Sequence, residues 1–303
     1  MISQEKLDKI MAYLGAHGFD ATILHFNFSS ETLKRYIRLA RNKHPRRAKI
    51  LLFDIETSPM ELYSFSLFKP AFSTVKIIRD WHIISWAAKW LFEPDIYSDI
   101  ITPKEIINQD DKRVCKSLWK LIDEADIVIA HNGDNFDLKK INTRFLLHKM
   151  PPPSSYYSID TLKVANKHFA FSSNKLDYIA QLTMNKEKIK TDFDLWKQCL
   201  HGEQEALNYM LEYNKKDVLL LEEVYLLLRP WIKSHPNIAV MNEAKDSCCP
   251  YCGSENYTFV GDYFTPVGQY SSIRCNECGG ISRFGSNLIG LHTRRKLLRP
   301  VAR

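Results

Sequence analysis

Hydrophobic and polar positions alternate with different periods along the chain, and the changes of period mark its parts. Residues 4–43 place apolar side chains three and four residues apart, which predicts a small helical module. Short apolar runs between residues 49 and 160 predict strands, and most of 161–228 has helical spacing. We therefore expect an α/β central domain in which helices flank a mixed sheet. The predicted strands are 49–54, 75–78, 82–90, 96–101, 127–130 and 157–160, and helices are predicted at 112–123 and 137–147.

Composition narrows the class of protein. The 303 residues suffice for a substantial core, and 45% hydrophobic with 25% charged residues is ordinary for a globular protein. The first residues lack the apolar run of a secretory signal, and no stretch reaches the length of a membrane span. We expect a cytoplasmic protein that makes no contact with a membrane.

The stretch from Leu51 to Pro59 carries the first chemical signal. Asp54 and Glu56 follow a buried apolar run, and because alternate side chains of a strand leave the same face, both carboxylates point to one side. Two adjacent anions repel each other unless a cation separates them, and oxygen ligands suit Mg²⁺ or Mn²⁺. Taken alone, the pair could also be two solvated acids on an edge strand.

Two later stretches add three more candidate residues. A buried strand runs into a polar turn, and Asp137 opens the helix that follows, where the helix dipole favours a carboxylate. Asp134 is its nearest rival, although a turn aspartate without a chemical role is the simpler interpretation, and His131 is interpreted as structural. Further along, Tyr213 and Asp217 lie four residues apart on a strongly periodic helix and therefore share a face.

The three stretches resemble the motifs of the DEDDy 3′→5′ exonucleases, members of the ribonuclease H-like (DnaQ-like) superfamily. The related DEDDh group has His five residues before the last Asp, where this chain has Glu212. The resemblance covers about residues 48–232, and the remainder is too short for a polymerase palm or fingers. The matching segments are Asp54-Ile55-Glu56 for D-x-E, Asn132-x3-Phe136-Asp137 for the N-x3-F-D form of the family B DNA polymerase proofreading domain, and Tyr213-x3-Asp217 for Y-x3-D.

The resemblance implies a ribonuclease H-like fold and hydrolysis of phosphodiester bonds with two Mg²⁺ or Mn²⁺ ions. A phenol with a pKa of about 10 is a poor base at neutral pH, so metal-bound water must carry most of the activation. The resemblance assigns the bridging of both ions to Asp54, the water-activating ion to Glu56 and Asp217, the other ion to Asp137, and the orientation of the attacking water to Tyr213.

The cysteines point to a second metal. Five of the seven lie within 31 residues, and with no export signal in the sequence this favours metal binding over disulfides. Two C-x2-C pairs supply four thiolates, the set that tetrahedral Zn²⁺ prefers, and a Gly after each second Cys permits the tight turn of a knuckle. The predicted ligands of one structural Zn²⁺ are Cys249, Cys252, Cys275 and Cys278.

Strands predicted at 257–260 and 268–273 make the cysteine-rich segment resemble a zinc ribbon. Cys248 is the competing ligand, whereas Cys115 and Cys199 are interpreted as ordinary buried thiols. The aromatic side chains of the ribbon could stack on bases, but in so small a module they could equally form its core. The ribbon is also a candidate docking site for a replication or repair protein.

The net charge of +7 is unevenly distributed. Eight of the sixteen residues from Lys34 to Lys49 are Lys or Arg and none is acidic, and five more basic residues lie in the last twelve. Basic flanks around an acidic middle suit a protein that binds a polyanion, although a basic run can also be a solvated face. Residues 20–41 resemble a helix-turn-helix with 30–41 as the recognition helix, and a helical subdomain packed on the core is an equal alternative.

These observations together predict the organisation and activity. We expect a helix-turn-helix-like module (1–45), a ribonuclease H-like DEDDy exonuclease domain (46–235), a zinc ribbon (245–285) and a basic tail (286–303). The expected activity is a stand-alone 3′→5′ exonuclease on single-stranded 3′ ends, with DNA favoured over RNA. The alternatives are an exoribonuclease, a structure-specific endonuclease, and a regulatory nucleic-acid-binding protein with a vestigial nuclease. The expected nucleic-acid contacts are Asn132, Asn135, Phe136, Lys34, Arg35, Arg38, Arg41, Arg294, Arg295 and Lys296.

Overall fold

A computed structural model of the protein describes residues 3–43, 47–65, 77–186, 191–244, 246–299 and 301. The chain starts with three helices that share a small core containing Leu7, Ile10 and Leu33. Three residues separate the second helix from the third, as a helix-turn-helix requires, while a role in reading bases stays a prediction. The helices are α1 (Gln4–His17), α2 (Phe19–Phe26) and α3 (Ser30–Lys43).

The central domain is built on a five-stranded sheet. Its strands are β1 (Ile50–Thr57), β4 (Ile83–Trp90), β5 (Ile96–Ile100), β6 (Ile127–Ala130) and β7 (Tyr157–Asp160). Their order is β5-β4-β1-β6-β7, with β1 antiparallel to β4 but parallel to β6, and β6 parallel to β7. The sheet is therefore mixed, as predicted. A separate pair of very short strands, β2 (Glu61–Leu62) and β3 (Ile77–Arg79), lies outside it.

Helices cover both faces of the sheet, and β1 shows why. Leu51 and Phe53 point into one apolar cluster, whereas Ile50 and Leu52 point into the other, because successive side chains of a strand alternate between faces. The α/β prediction of a mixed sheet flanked by helices is confirmed. The helices are α4 (Pro103–Ile107), α5 (Lys112–Glu124), α6 (Asp137–Leu147), α7 (Thr161–His168), α8 (Leu176–Met184), α9 (Phe193–Leu200), α10 (Gln204–Leu228) and α11 (Ile238–Met241).

A buried ion pair joins α5, α6 and the start of β4. The Asp111 carboxylate is fully buried and accepts hydrogen bonds from Arg144 Nε at 2.7 Å and Nη2 at 2.5 Å. It also accepts the Ile83 backbone N–H at 2.8 Å, and His148 Nε2 lies 2.6 Å away. Because Arg144 supplies the positive charge, this cluster is a structural anchor of the domain rather than a metal site.

The cysteine-rich segment forms a separate three-stranded sheet in the order β10-β9-β8. The two predicted strands are present but longer than expected, and the third was not predicted. The elements are β8 (Tyr257–Thr265), β9 (Gly268–Cys275), β10 (Ile281–Arg283) and a terminal helix α12 (Leu291–Lys296).

Among the helices of the described ranges, none combines the length and the apolar character needed to cross a membrane.

Candidate active site

Strand β1 brings Asp54 and Glu56 to one face of the sheet. The strand extends to Thr57, beyond the predicted end at 54, so both carboxylates continue the face that carries Ile50 and Leu52. Within the described residues, their oxygens and a carboxylate oxygen of Asp217 all lie within 4.8 Å of one another. Asp54 and Asp217, which are 163 positions apart in the sequence, thus meet in one acidic group.

Helix α10 supplies the third carboxylate. Asn214, Asp217, Val218 and Leu221 follow the i, i+3, i+4, i+7 spacing of one helical face, and all four are buried. The stripe is apolar where it packs on the sheet and becomes polar where it passes Asp54. Tyr213 is almost buried, and its ring packs edge-to-face on Trp196 at 6.4 Å between centroids.

Asp137, at the first position of α6, lies close to this group without belonging to it. Its Oδ1 accepts the backbone N–H of Ile55 at 3.2 Å, so it is anchored to the residue between Asp54 and Glu56. Burial raises the pKa of Asp137 to about 7, helped by the negative charge of Asp160 and opposed by the Ile55 N–H and its own backbone N–H. Asp137 therefore ionises fully near neutral pH only when a cation compensates it.

All five residues line one open cleft of about 1180 Å³. Of the predicted nucleic-acid contacts in this region, Asn132 and Phe136 also line it, whereas Asn135 is exposed outside the lining. The remaining lining residues are His131, Ile55, Leu162, Asn166, Asn174, Lys175, Leu176, Asp177, Gln181 and Thr191. Asn166, Gln181 and Thr191 carried no signal in the sequence, because single polar residues on helices and loops have no diagnostic spacing.

The turn before α6 is held by Asp160. Its Oδ1 accepts the backbone N–H of Asn132 at 2.9 Å and that of Leu162 at 3.0 Å, so one carboxylate fixes the turn and caps α7. His131 bonds Thr161 Oγ1 and the Asn174 carbonyl, each at 2.9 Å, which accounts for it as a structural residue. Asp134 pairs with Lys163 at 2.7 Å, away from the acidic group.

A buried amide that the sequence analysis missed touches the first carboxylate. Asn214 is fully buried, and its Nδ2 donates to Asp54 Oδ2 at 2.6 Å. Its Oδ1 accepts the hydroxyl of Ser85, also fully buried, at 3.2 Å. An asparagine between Tyr213 and Asp217 resembles any helical polar residue, so only the fold reveals the contact.

The donor set fits a hard divalent cation. Three carboxylates converge from β1 and α10, and all their donor atoms are oxygens, which Mg²⁺ and Mn²⁺ prefer over nitrogen or sulfur. Asp137 adds a fourth carboxylate in the same cleft. The arrangement can hold positive charge beside a phosphodiester without a histidine or cysteine.

The four predicted zinc ligands form a second group. Their sulfur atoms lie within 4.8 Å of one another, with Sγ–Sγ distances of 3.6 Å for Cys249–Cys278 and for Cys252–Cys275, so the thiols are close but not bonded as disulfides. Gly253 and Gly279, which follow the second cysteine of each pair, have φ of 78° and 76°, as the predicted knuckle turns require. The cluster is compatible with a zinc ribbon.

The basic residues outside the cleft occupy two helices. Lys34 and Arg35 are exposed on α3, and Lys34 pairs with Glu31 at 3.2 Å. The side chains of Arg38 and Arg41 lie outside the described residues. In the tail, Arg295 and Lys296 are exposed on α12, while Arg294 is half-buried.

Comparison with known proteins agrees with this geometry. Residues 98–229 match the family model of the RNase_H superfamily. This segment is a ribonuclease H-like domain. It contains Asp137, Tyr213 and Asp217, while β1 with Asp54 and Glu56 precedes it and pairs with its sheet. The predicted ribonuclease H-like fold is confirmed.

Two other comparisons gave no match or a distant one. No curated protein matches the sequence. A solved structure of the family B DNA polymerase from the hyperthermophilic archaeon Pyrobaculum calidifontis matches at 13% identity and a TM-score of 0.46, over 75% of this chain and 32% of the polymerase. The chain thus spans about a third of that polymerase.

Proposed function

We propose that the protein is a metal-dependent 3′→5′ exonuclease that removes nucleotides from single-stranded 3′ ends, with DNA as the favoured substrate. The observation that carries the proposal is the convergence of Asp54, Glu56 and Asp217 within 4.8 Å in an open cleft that Asp137 and Tyr213 also line. A ribonuclease H-like domain supports nuclease chemistry, and the motif resemblance supports the exonuclease branch.

Divalent ions bound in this cleft would stabilise charge on the attacking and leaving oxygens of a phosphodiester. In this proposal Asp54 would contribute to both ions, Glu56 and Asp217 would hold one of them with it, and Asp137 would hold the other. The Tyr213 hydroxyl would form a hydrogen bond with the attacking water. The packing of the Tyr213 ring on Trp196 fixes the direction in which the hydroxyl points. This division of roles follows the family resemblance and the shared cleft.

The cleft suits a separated strand. The cleft is open, and besides its carboxylates it is lined by amide and hydroxyl groups, one lysine and the aromatic ring of Phe136, which is 37% exposed. Amides can contact the sugar-phosphate backbone of any sequence, and an exposed ring can stack on a base. These groups favour a single strand over a duplex, whose bases are already stacked on each other.

The accessory modules are proposed to hold the substrate. The exposed cations Lys34 and Arg35 on α3 and Arg295 and Lys296 on α12 would contribute salt-sensitive contacts to phosphates. The cysteine cluster is proposed to bind one structural Zn²⁺, since a four-thiolate site leaves no open coordination position for catalysis.

A single assay tests the proposal. Single-stranded DNA, duplex DNA and RNA, each labelled at the 5′ end, are incubated with the protein and Mn²⁺ or Mg²⁺, and products are resolved by length. Stepwise shortening of single-stranded DNA from the 3′ end, absent without the metal, is expected. Equal or faster shortening of RNA would make the protein an exoribonuclease. Internal cuts would indicate an endonuclease, and binding without cleavage would indicate a regulatory protein.

A further inference from the structure

Two buried polar side chains, Asn214 and Ser85, lie behind the acidic group. Asn214 and Ser85 are both fully buried, yet neither is one of the motif residues to which the resemblance assigns a role. They form a chain of hydrogen bonds from β4 through α10 to Asp54, with 3.2 Å between Ser85 Oγ and Asn214 Oδ1 and 2.6 Å between Asn214 Nδ2 and Asp54 Oδ2. Buried polar groups are costly unless they are satisfied. Asp54 accepts the hydrogen bond of the buried amide nitrogen, and Ser85 satisfies the amide oxygen.

The direction of this chain follows from its donors. An asparagine amide has an oxygen that only accepts and a nitrogen that only donates. An ionised carboxylate only accepts, so Asp54 turns Nδ2 toward itself, and the Ser85 hydroxyl then donates to Oδ1 on the side of β4. A flipped amide would place its oxygen against an anionic oxygen of Asp54. Asp54 therefore selects the amide orientation, and the hydrogen bond from Ser85 satisfies the buried amide oxygen and helps to hold the amide there.

The Asn214 amide suits this position beside Asp54 because it carries no charge. Asp54, Glu56 and Asp217 already bring up to three negative charges within 4.8 Å. A lysine or arginine behind Asp54 would cancel part of the negative charge that attracts divalent ions, whereas an amide donates a hydrogen bond without adding charge. It holds Oδ2 in place and leaves the electrostatic attraction for cations intact.

We infer that Asn214, held in place by the hydrogen bond from Ser85, is a positioning residue that holds Asp54 in the geometry needed to bind divalent cations. The inference rests on the proposed function only in taking Asp54 as a metal ligand. It assigns these residues no direct contact with the substrate. Groups that orient a metal ligand through a hydrogen bond typically change metal affinity about 10- to 100-fold when removed.

The test measures metal binding without nucleic acid. Mn²⁺ is titrated calorimetrically into wild type and into Asn214→Leu, which keeps the approximate volume of the side chain but cannot donate. Asn208→Leu is the matched control, because Asn208 lies on the same helix but is exposed. We expect Asn214→Leu to weaken Mn²⁺ binding about 10- to 100-fold and Asn208→Leu to leave it unchanged. Folding is checked by circular dichroism.

A structural role would give a different result. If Asn214 served only packing, the variant would melt at lower temperature but bind Mn²⁺ like wild type, and that result would overturn the inference. Should Asn214→Leu fail to fold, Ser85→Ala decides by the same criterion: weaker Mn²⁺ binding supports the inference, and unchanged binding overturns it. Under the inference, hydrolysis by the variant also recovers when Mn²⁺ is raised, which restored metal occupancy explains and a distorted fold does not.

Failure of the inference and failure of the proposed function are distinguishable. A wild-type protein that binds Mn²⁺ but cleaves none of the three substrates refutes the exonuclease while the effect of Asn214 on Mn²⁺ affinity still stands. A wild-type protein that cleaves DNA while Asn214→Leu binds Mn²⁺ normally refutes only the positioning role.

Discussion

Replacing Asp137 by Asn should stabilise the protein in buffer free of Mg²⁺ and Mn²⁺, and the gain should increase with pH. Asp137 is 2% exposed, and its only hydrogen bond to another residue within the described contacts comes from the Ile55 N–H. Burial raises its pKa from the ordinary 3.8 to about 7. The folded protein therefore keeps a proton on Asp137 that the unfolded chain releases at much lower pH. Asparagine has the same shape and nothing to ionise.

The pH window follows from these two pKa values. Below pH 3.8 both states are protonated, and the group costs no stability. Between pH 3.8 and about 7 only the unfolded chain ionises, so the free energy of unfolding falls by about 1.4 kcal/mol per pH unit, and above 7 the loss is complete. Between pH 5 and pH 8, the advantage of Asp137→Asn over wild type should grow by about 3 kcal/mol, the loss over the two pH units below 7.

Urea unfolding of both proteins at pH 5 and pH 8 measures this growth, and other titrating groups cancel because the proteins share them. Asp95→Asn is the control, since Asp95 is exposed and the same charge is removed. With Mn²⁺ present the order should reverse, because the charged carboxylate binds the ion more tightly than a neutral amide and binding stabilises the folded state. An advantage of Asp137→Asn that is equal at the two pH values would refute the buried-carboxyl reasoning.

Three further predictions concern other residues. Asp54→Ala should abolish hydrolysis with an unchanged circular dichroism spectrum, whereas Tyr213→Phe should keep residual activity; an unchanged rate in purified Asp54→Ala would contradict the assignment. Elemental analysis should find about one zinc per chain, and Cys252→Ser should lose it; full zinc content in that variant would contradict the cluster as its site. Asp111→Ala should lower the free energy of unfolding by about 3–5 kcal/mol, because Arg144, whose side chain is only 12% exposed, would lose its partner; a loss below about 1 kcal/mol in urea unfolding would contradict that.

Sequence patterns predicted the elements whose periodic runs of apolar residues are long and the sites whose motifs have a fixed spacing. The apolar runs of β1 and β6 and the spacing of Tyr213 and Asp217 place chemical groups on defined faces, because period two and period 3.6 leave little choice. The two C-x2-C pairs predicted the cysteine cluster, because this spacing is typical of zinc ligands. The very short strands β2 and β10 were not predicted, since a run of two or three residues has no period to detect.

Contacts between distant segments could not be predicted from the sequence, apart from those that the metal-binding motifs imply. The order of the strands depends on pairing across the whole domain, and the anchoring of Asp137 to Ile55 joins residues 82 positions apart. The separation of Asp137 from the tighter group of three could not be read from motif spacing. Asn214 was missed because its importance lies in what it touches rather than in its residue type.

Locating the metal tests most directly whether the carboxylates of the cleft bind divalent ions. A crystal soaked in Mn²⁺ and measured at the manganese absorption edge shows each ion by its anomalous signal. We expect Mn²⁺ in the cleft, ligated by Asp54 together with Glu56 and Asp217, and a second ion on Asp137. A cleft without anomalous signal at saturating Mn²⁺, in crystals whose Asp54 is accessible to solvent, would contradict it.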